Sequence, residues 1–174
     1  MTGRTFFNRV TNGQRDIVQL LLSLLDETDS DYCVIGGLAV NAYAEPVVSL
    51  DLDLVVVSDR SDAFRSAAQA TGMKVEQFEH SVNLSMAGSD LRIQLQTDHR
   101  YQDFVSRGER RRVLGYEMTV ACLEDVLRGK IWAYSDRTRR KSKRQKDLAD
   151  IMRLVEAHAE LKENLPADIA AQLE

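Results

Sequence analysis

Apolar residues recur at helical spacing over residues 13–27, where Ile17, Leu20, Leu21, Leu24 and Leu25 form one stripe. This predicts a first helix with Asn12 as its N-cap. Turn residues fill 26–31, and 32–35 (YCVI) reads as a short buried strand. Gly36-Gly37 then opens a short helix through LAVNAYAE, which Pro46 breaks. In 50–57 (LDLDLVVV), Leu50, Leu52 and Leu54 point one way and Asp51 and Asp53 the other, before the run turns wholly apolar as a central strand does. A helix over 60–71 is closed by Gly72.

Two strands, 73–79 and 81–87, follow on either side of Glu79-His80. LRIQLQ at 91–96 alternates with Leu91, Ile93 and Leu95 inward, so Arg92, Gln94 and Gln96 share the opposite side. A short helix at 101–106 and one or two strands within 110–121 precede two strong helices, 123–136 and 143–160, and a last short one in LPADIAAQLE. Mixed strands and helices ending in helices predict an α/β (α+β) domain: a core over 1–122 with a helical part over 123–174 packed on it.

Composition changes this picture little. With 44% apolar and 29% charged residues, the 174-residue chain suits one ordinary globular domain. Cys33 and Cys122 sit in apolar runs and read as buried packing residues, with no CxxC pair to suggest zinc. No secretory leader and no membrane-length apolar run is present, so the expected location is the cytoplasm. His80, His99 and His158 lack metal-ligand spacing, and nothing like GxSxG occurs. Trp132 falls on a helix stripe with Val126, Leu127 and Ile131 and reads as core.

The net charge of −4 conceals an asymmetry. RGERRR (107–112) and RTRRKSKRQK (137–146) hold eleven of the 23 basic residues. A basic patch on an acidic body suits a polyanion such as a triphosphate, a tRNA end or another nucleic acid, although a charge run is also what a solvated loop looks like. No aromatic residue interrupts 137–146, so contacts there would be to phosphate rather than to bases.

The chemistry concentrates in 35–54. A strand ends in Gly36-Gly37 at the mouth of a helix, where the backbone can approach an anion and free N–H groups await it. Fourteen residues after Gly37, Asp51 and Asp53 project from one face of a strand, about 7 Å apart along the backbone. Like charges so placed ionise together most easily beside a cation, and hard oxygen ligands select Mg²⁺ or Mn²⁺. Either feature alone is commonly a turn or a solvated face. Their succession (strand, Gly-Gly, helix, Asp-x-Asp on an apolar strand) is far more specific.

In this segment the chain resembles the nucleotidyltransferase superfamily, with its hG[G/S] motif followed by [D/E]h[D/E]h. Within it the chain is similar to the minimal prokaryotic branch related to AbiEii-type toxins. The likeness continues through 123–154, with one Lys on a Leu-rich helix, an Asp-Arg pair and Lys-Asp-x-x-Asp on the next helix. The resemblance implies a mixed sheet flanked by helices and Mg²⁺-dependent transfer from an NTP to a nucleic acid or protein acceptor, in the setting of a toxin–antitoxin or phage-defence system with a partner protein. It implies that Gly36 and Gly37 hold phosphates and that Asp51 and Asp53 are catalytic metal ligands. Lys130, Arg137 and Lys146 would lie near the triphosphate, with Asp147 and Asp150 orienting them. On the residues alone, Lys130 reads equally as a solvated helix residue, and Lys146–Asp150 as a surface i, i+4 pair.

Two departures stand out. A third carboxylate is expected on a later strand, but the matching position is Gln94, with Asp90 and Asp98 at the strand's ends as substitutes. Val47-Val48-Ser49 also stands where relatives carry Arg-x-Thr. A catalytically impaired nucleotide-binding module of the same fold is therefore the alternative.

Overall fold

The computed structural model describes residues 2–57 and 59–173. Helices α1 (Gly3–Val10) and α2 (Ile17–Glu27) lead into strand β1 (Tyr32–Ile35), helix α3 (Gly36–Val40) and strand β2 (Asp51–Val56). Helix α4 (Ser61–Ala70) precedes strands β3 (Lys74–Gln77), β4 (Ser81–Ser85) and β5 (Arg92–Gln96). A 3₁₀ turn (His99–Tyr101) runs into α5 (Gln102–Ser106), then strands β6 (Glu109–Val113) and β7 (Tyr116–Val120). Helices α6 (Leu123–Ser135) and α7 (Lys141–Ala157), a 3₁₀ segment (Ala159–Asn164) and α8 (Ala167–Ala170) finish the chain.

The seven strands form one mixed sheet in the order β3-β4-β5-β2-β1-β7-β6. β2 is antiparallel to β1 and parallel to β5, and β1 is parallel to β7. The acidic strand thus lies inside the sheet. Leu52, Leu54, Val55 and Val56 are buried on it, and one continuous apolar core runs from Phe7 through the sheet to Leu154 and Ile169. Among the described residues no helix is long and apolar enough to cross a membrane.

The expected elements are present, with local corrections. A helix over 3–10 was not expected, since Phe6 is exposed and only Phe7 of that turn is buried. The second helix starts at Ile17, the first residue of the stripe and four residues after the expected start at 13. Asp16, not Asn12, caps it by accepting from the Gln19 N–H at 3.0 Å, while Asn12 takes positive φ in the preceding turn. α3 stops at Val40 because the Asn41 amide turns to bond both the N–H and the carbonyl of Val47. Cys33 is buried, and burial pushes its thiol up to about 12, whereas Cys122 is only half-buried. Trp132 is partly buried, its ring stacked on Phe104 and covered by the Arg100 guanidinium.

Candidate active site

β1 ends against the start of α3, and its partner β2 carries the acidic residues. In register, Ile35 faces Asp53, which places Gly36 directly over the Asp53 carboxylate. Gly36 adopts φ +70°, and a Cβ there would stand 3.0 Å from Asp53 Cγ and closer still to Oδ2. Only glycine satisfies both conditions. Gly37 is looser, its nearest neighbour being Ser49 Oγ, which accepts from the Asp51 N–H at 3.2 Å.

The parallel pairing of β2 with β5 sets Arg92 beside Asp51 and Gln94 beside Asp53. Gln94 therefore occupies the place next to the acidic pair where a third carboxylate was sought. Neither substitute reaches it. Asp90 accepts from Asn12 Nδ2 at 2.6 Å, and Asp98 binds Arg100, whose hydrogen bonds hold its carboxyl below the usual range.

Asp51 and Asp53 share a face but not an environment. Arg92 Nε lies 2.6 Å from Asp51 Oδ1, and Lys143 Nζ lies 3.6 Å from Oδ2. Among the described residues Asp53 has no ion-pair partner. Loss of water raises its pKa to about 6, the charges of Lys130 and Arg139 oppose the rise, and that of Asp51 adds to it.

Above Asp53, α6 and α7 close the other wall. Lys130 Nζ is 3.0 Å from Asp147 Oδ1 and 2.7 Å from Asp150 Oδ2, all three being buried. Burial alone lowers the lysine's pKa, but the two carboxylates outweigh it and leave the pKa above its ordinary value. Arg139 pairs with the second oxygen of Asp147 at 2.8 Å, and Arg153 with Asp150 at 2.8 Å. Lys130 is thus neither solvated nor free, and Asp150 serves Lys130 and Arg153 rather than Lys146.

Gly36, Asp53, Gln94, Lys130, Arg139 and Asp147 line one cavity of about 110 Å³, walled on the apolar side by Tyr101, Phe104 and Val126. It shares Gln96, Tyr101, Ala133 and Arg139 with a neighbouring cleft of about 450 Å³. Together they fall in the ~300–1,000 Å³ range of small-molecule sites. A wider groove of about 800 Å³ opens at the opposite end of β1 and β2, by Tyr32 and Val57; it takes in Arg110 of the first basic segment but none of the glycines, aspartates or C-terminal basic residues expected at the site.

Arg137 is exposed and lines neither cavity, while Arg139, two residues on, lines both. Lys146 is exposed, yet its charge acts on Asp53. The two basic segments differ. In 107–112, Arg107 is tied to the buried Asp125 at 2.7 Å, Arg111 to Glu109 and Arg112 to Glu117. In 137–146, Arg137, Arg140, Lys141 and Lys146 have no ion-pair partner among the described residues. Sequence reasoning missed Arg92, Lys143, Arg139 and Asp125. Arg92 left a signal in sharing a strand face with Gln94, and Arg139 and Lys143 lay, not singled out, within the basic run 137–146, while Asp125 left none.

Two carboxylates on one face, of which Asp53 lines the cavity without a cationic partner and Asp51 stands beside it, are the oxygen donors Mg²⁺ uses when substrate phosphates supply the rest. The residues fit one such ion. Among the described residues there is no cluster of three or more His, Cys, Asp or Glu side chains that could hold a metal ion, so the donors from the protein are the two carboxylates.

No family model matches the chain, and no curated protein matches it. Solved structures do. ANT(2'')-Ia in complex with adenylyl-2''-tobramycin matches with a TM-score of 0.62 at 15% identity, over 91% of this chain and 97% of that one. The lincosamide antibiotic adenylyltransferase LnuA, lincomycin-bound, gives 0.57 at 10% identity over 82% and 99%. An antigenic nucleotidyltransferase-like protein from Paracoccidioides brasiliensis gives 0.55 at 21% identity over 90% of each chain. The chain has the nucleotidyltransferase fold.

Proposed function

We propose that this protein transfers a nucleotidyl group from an NTP to a hydroxyl of a nucleic acid or protein acceptor, with one Mg²⁺ or Mn²⁺ held by Asp51 and Asp53. The observation that carries the reading is the convergence of Gly36, Asp53, Lys130, Arg139 and Asp147 on one cavity. Gly36 and Gly37 present backbone N–H groups to the phosphates. Arg139 and Lys146, with Arg137 further out, supply positive charge around the triphosphate. Lys130, fixed by Asp147 and Asp150, sets the potential at the cavity wall. The bound ion would neutralise phosphate charge as it develops. The acceptor oxygen forms a bond to the α-phosphorus, the α–β bridging P–O bond breaks, and pyrophosphate leaves. The acceptor's proton passes to solvent, because Gln94 accepts none, and the rate is correspondingly modest.

The exposed cations at the start of α7 favour a polyanionic acceptor such as a tRNA end, and a toxin-like role with a partner protein is the biological setting we favour. The test is incorporation of labelled nucleotide from each of the four NTPs with Mg²⁺ or Mn²⁺ into tRNA, protein and small hydroxylated acceptors, the aminoglycoside and lincosamide classes included. Transfer that Asp53→Asn abolishes supports the reading. Failure of all NTPs to transfer or bind would falsify it. Gln94 beside Asp53 favours a second reading, a binding module that no longer turns over, in which calorimetry finds nucleotide binding without transfer.

A further inference from the structure

We infer that Arg92 performs a cation's role at this site, so that the acidic pair takes one divalent ion with a nucleotide, never two. The inference rests on the reading that Asp51 and Asp53 bind a metal nucleotide, and it assigns unequal parts to the two carboxylates.

The asymmetry is built into the sheet. Parallel pairing fixes Arg92 as the lateral neighbour of Asp51 and gives Asp53 an uncharged amide. Both Asp51 oxygens face a protein cation: Arg92 Nε at 2.6 Å from Oδ1 and Lys143 Nζ at 3.6 Å from Oδ2. Asp53 faces none at ion-pair distance among the described residues. The two cations differ in kind. Arg92 comes from an internal strand and carries a planar group that is always charged. Lys143 is a point charge on a flexible stem in the first turn of α7, free to swing toward a phosphate. Two ions sharing a site need carboxylate oxygens to divide between them. Here two carboxylates less one guanidinium leave a single net negative charge, where a third acid at position 94 would have left two. Such a set holds one ion, centred on the Asp53 side, with Arg92 meeting the charge on Asp51 that a second ion would meet.

The test uses the full-length chain and counts bound Mn²⁺ by the electron paramagnetic resonance signal of the free ion. Titrations are run with and without ATP whose α–β bridging oxygen is replaced by methylene. We expect one Mn²⁺ per chain with the analogue, and the same for Arg92→Lys. Without nucleotide, Arg92→Gln should bind Mn²⁺ about tenfold more tightly, since a unit charge a few ångströms from a divalent ion is gone. Arg92→Gln with Gln94→Asp should bind a second ion. The Arg92 side chain is mostly exposed, so these variants fold, and circular dichroism verifies it. Two ions in the unaltered chain, an Arg92→Gln affinity that does not move, or a double variant still limited to one ion each overturn the inference while leaving nucleotide transfer standing. An unaltered chain that binds neither Mn²⁺ nor the analogue overturns both.

Discussion

The Asp53 carboxylate occupies the volume that a side chain on Gly36 would need, so the glycine and the acid are one unit of the site rather than two motifs. Gly36→Ala must relieve both a left-handed backbone and this overlap. We expect a loss of about 1–3 kcal/mol of stability and a displaced Asp53. Thermal melting reads the first effect and nucleotide titration the second. Gly37→Ala, where the nearest neighbour is an ordinary van der Waals contact, should change melting far less.

Asp53 sets a pH dependence whose sign is opposite to that of a salt-bridged acid. Its folded pKa of about 6 exceeds the ordinary 3.8, so between these values the folded chain keeps a proton that the unfolded chain has lost. Stability contributed by this residue therefore falls as pH rises from about 4 to 6. Asp53→Asn should be more stable than the parent by about 1–3 kcal/mol at pH 7 and no more stable near pH 3.5. Urea unfolding at both pH values measures it, and a gain that persists undiminished at pH 3.5 would contradict the assignment.

Lys130 is the reverse case, a buried cation whose removal strands two acids. Lys130→Met should cost about 3–5 kcal/mol, because Asp147 and Asp150 stay buried with less compensation. Asp147→Asn should cost less, since Lys130 keeps Asp150 at 2.7 Å. Chemical denaturation ranks the pair. Equal losses would mean that the three charges do not act as the network described.

Gln94→Asp places a proton acceptor beside Asp53. If nucleotidyl transfer is slow for want of one, this change should raise the transfer rate about tenfold or more without tightening nucleotide binding. Single-turnover measurement with labelled NTP separates the two. A variant whose rate does not rise would show that the amide is not what limits the reaction.

The fold was readable where local pattern and tertiary role coincide. The alternation of 91–96 and the switch of 50–57 from alternating to apolar correspond to strands inside the sheet, because both faces of an internal strand are set by side-chain period. The glycine–aspartate contact was half readable. The motif announced both residues, but only the register of β1 against β2 brings Asp53 under Gly36. What sequence could not supply was lateral neighbourhood. β2 and β5 are 41 residues apart at the Asp51–Arg92 bond, and nothing local says that they pair, or in which direction. Arg139 rather than Arg137 reaches the cavity for a similar reason. The Asp136 side chain accepts from the Thr138 N–H and hydroxyl and folds the connection between α6 and α7 so that the later arginine turns inward. Helix α1 was missed because its stability comes from contacts made far along the chain, such as the Arg4 bond to the Gly115 carbonyl.

The strand bearing the two acids has a hydrogen-bonded neighbour on either side, and its apolar residues are sealed in the core. Its amides should be among the slowest in the molecule to exchange with deuterated solvent, opening only when the whole domain opens. Accommodation of an incoming substrate therefore falls to the opposite wall. The segment from Asp136 to Lys146, exposed and tethered mainly by Arg139, Lys143 and Arg144, is where protection should change when a ligand arrives.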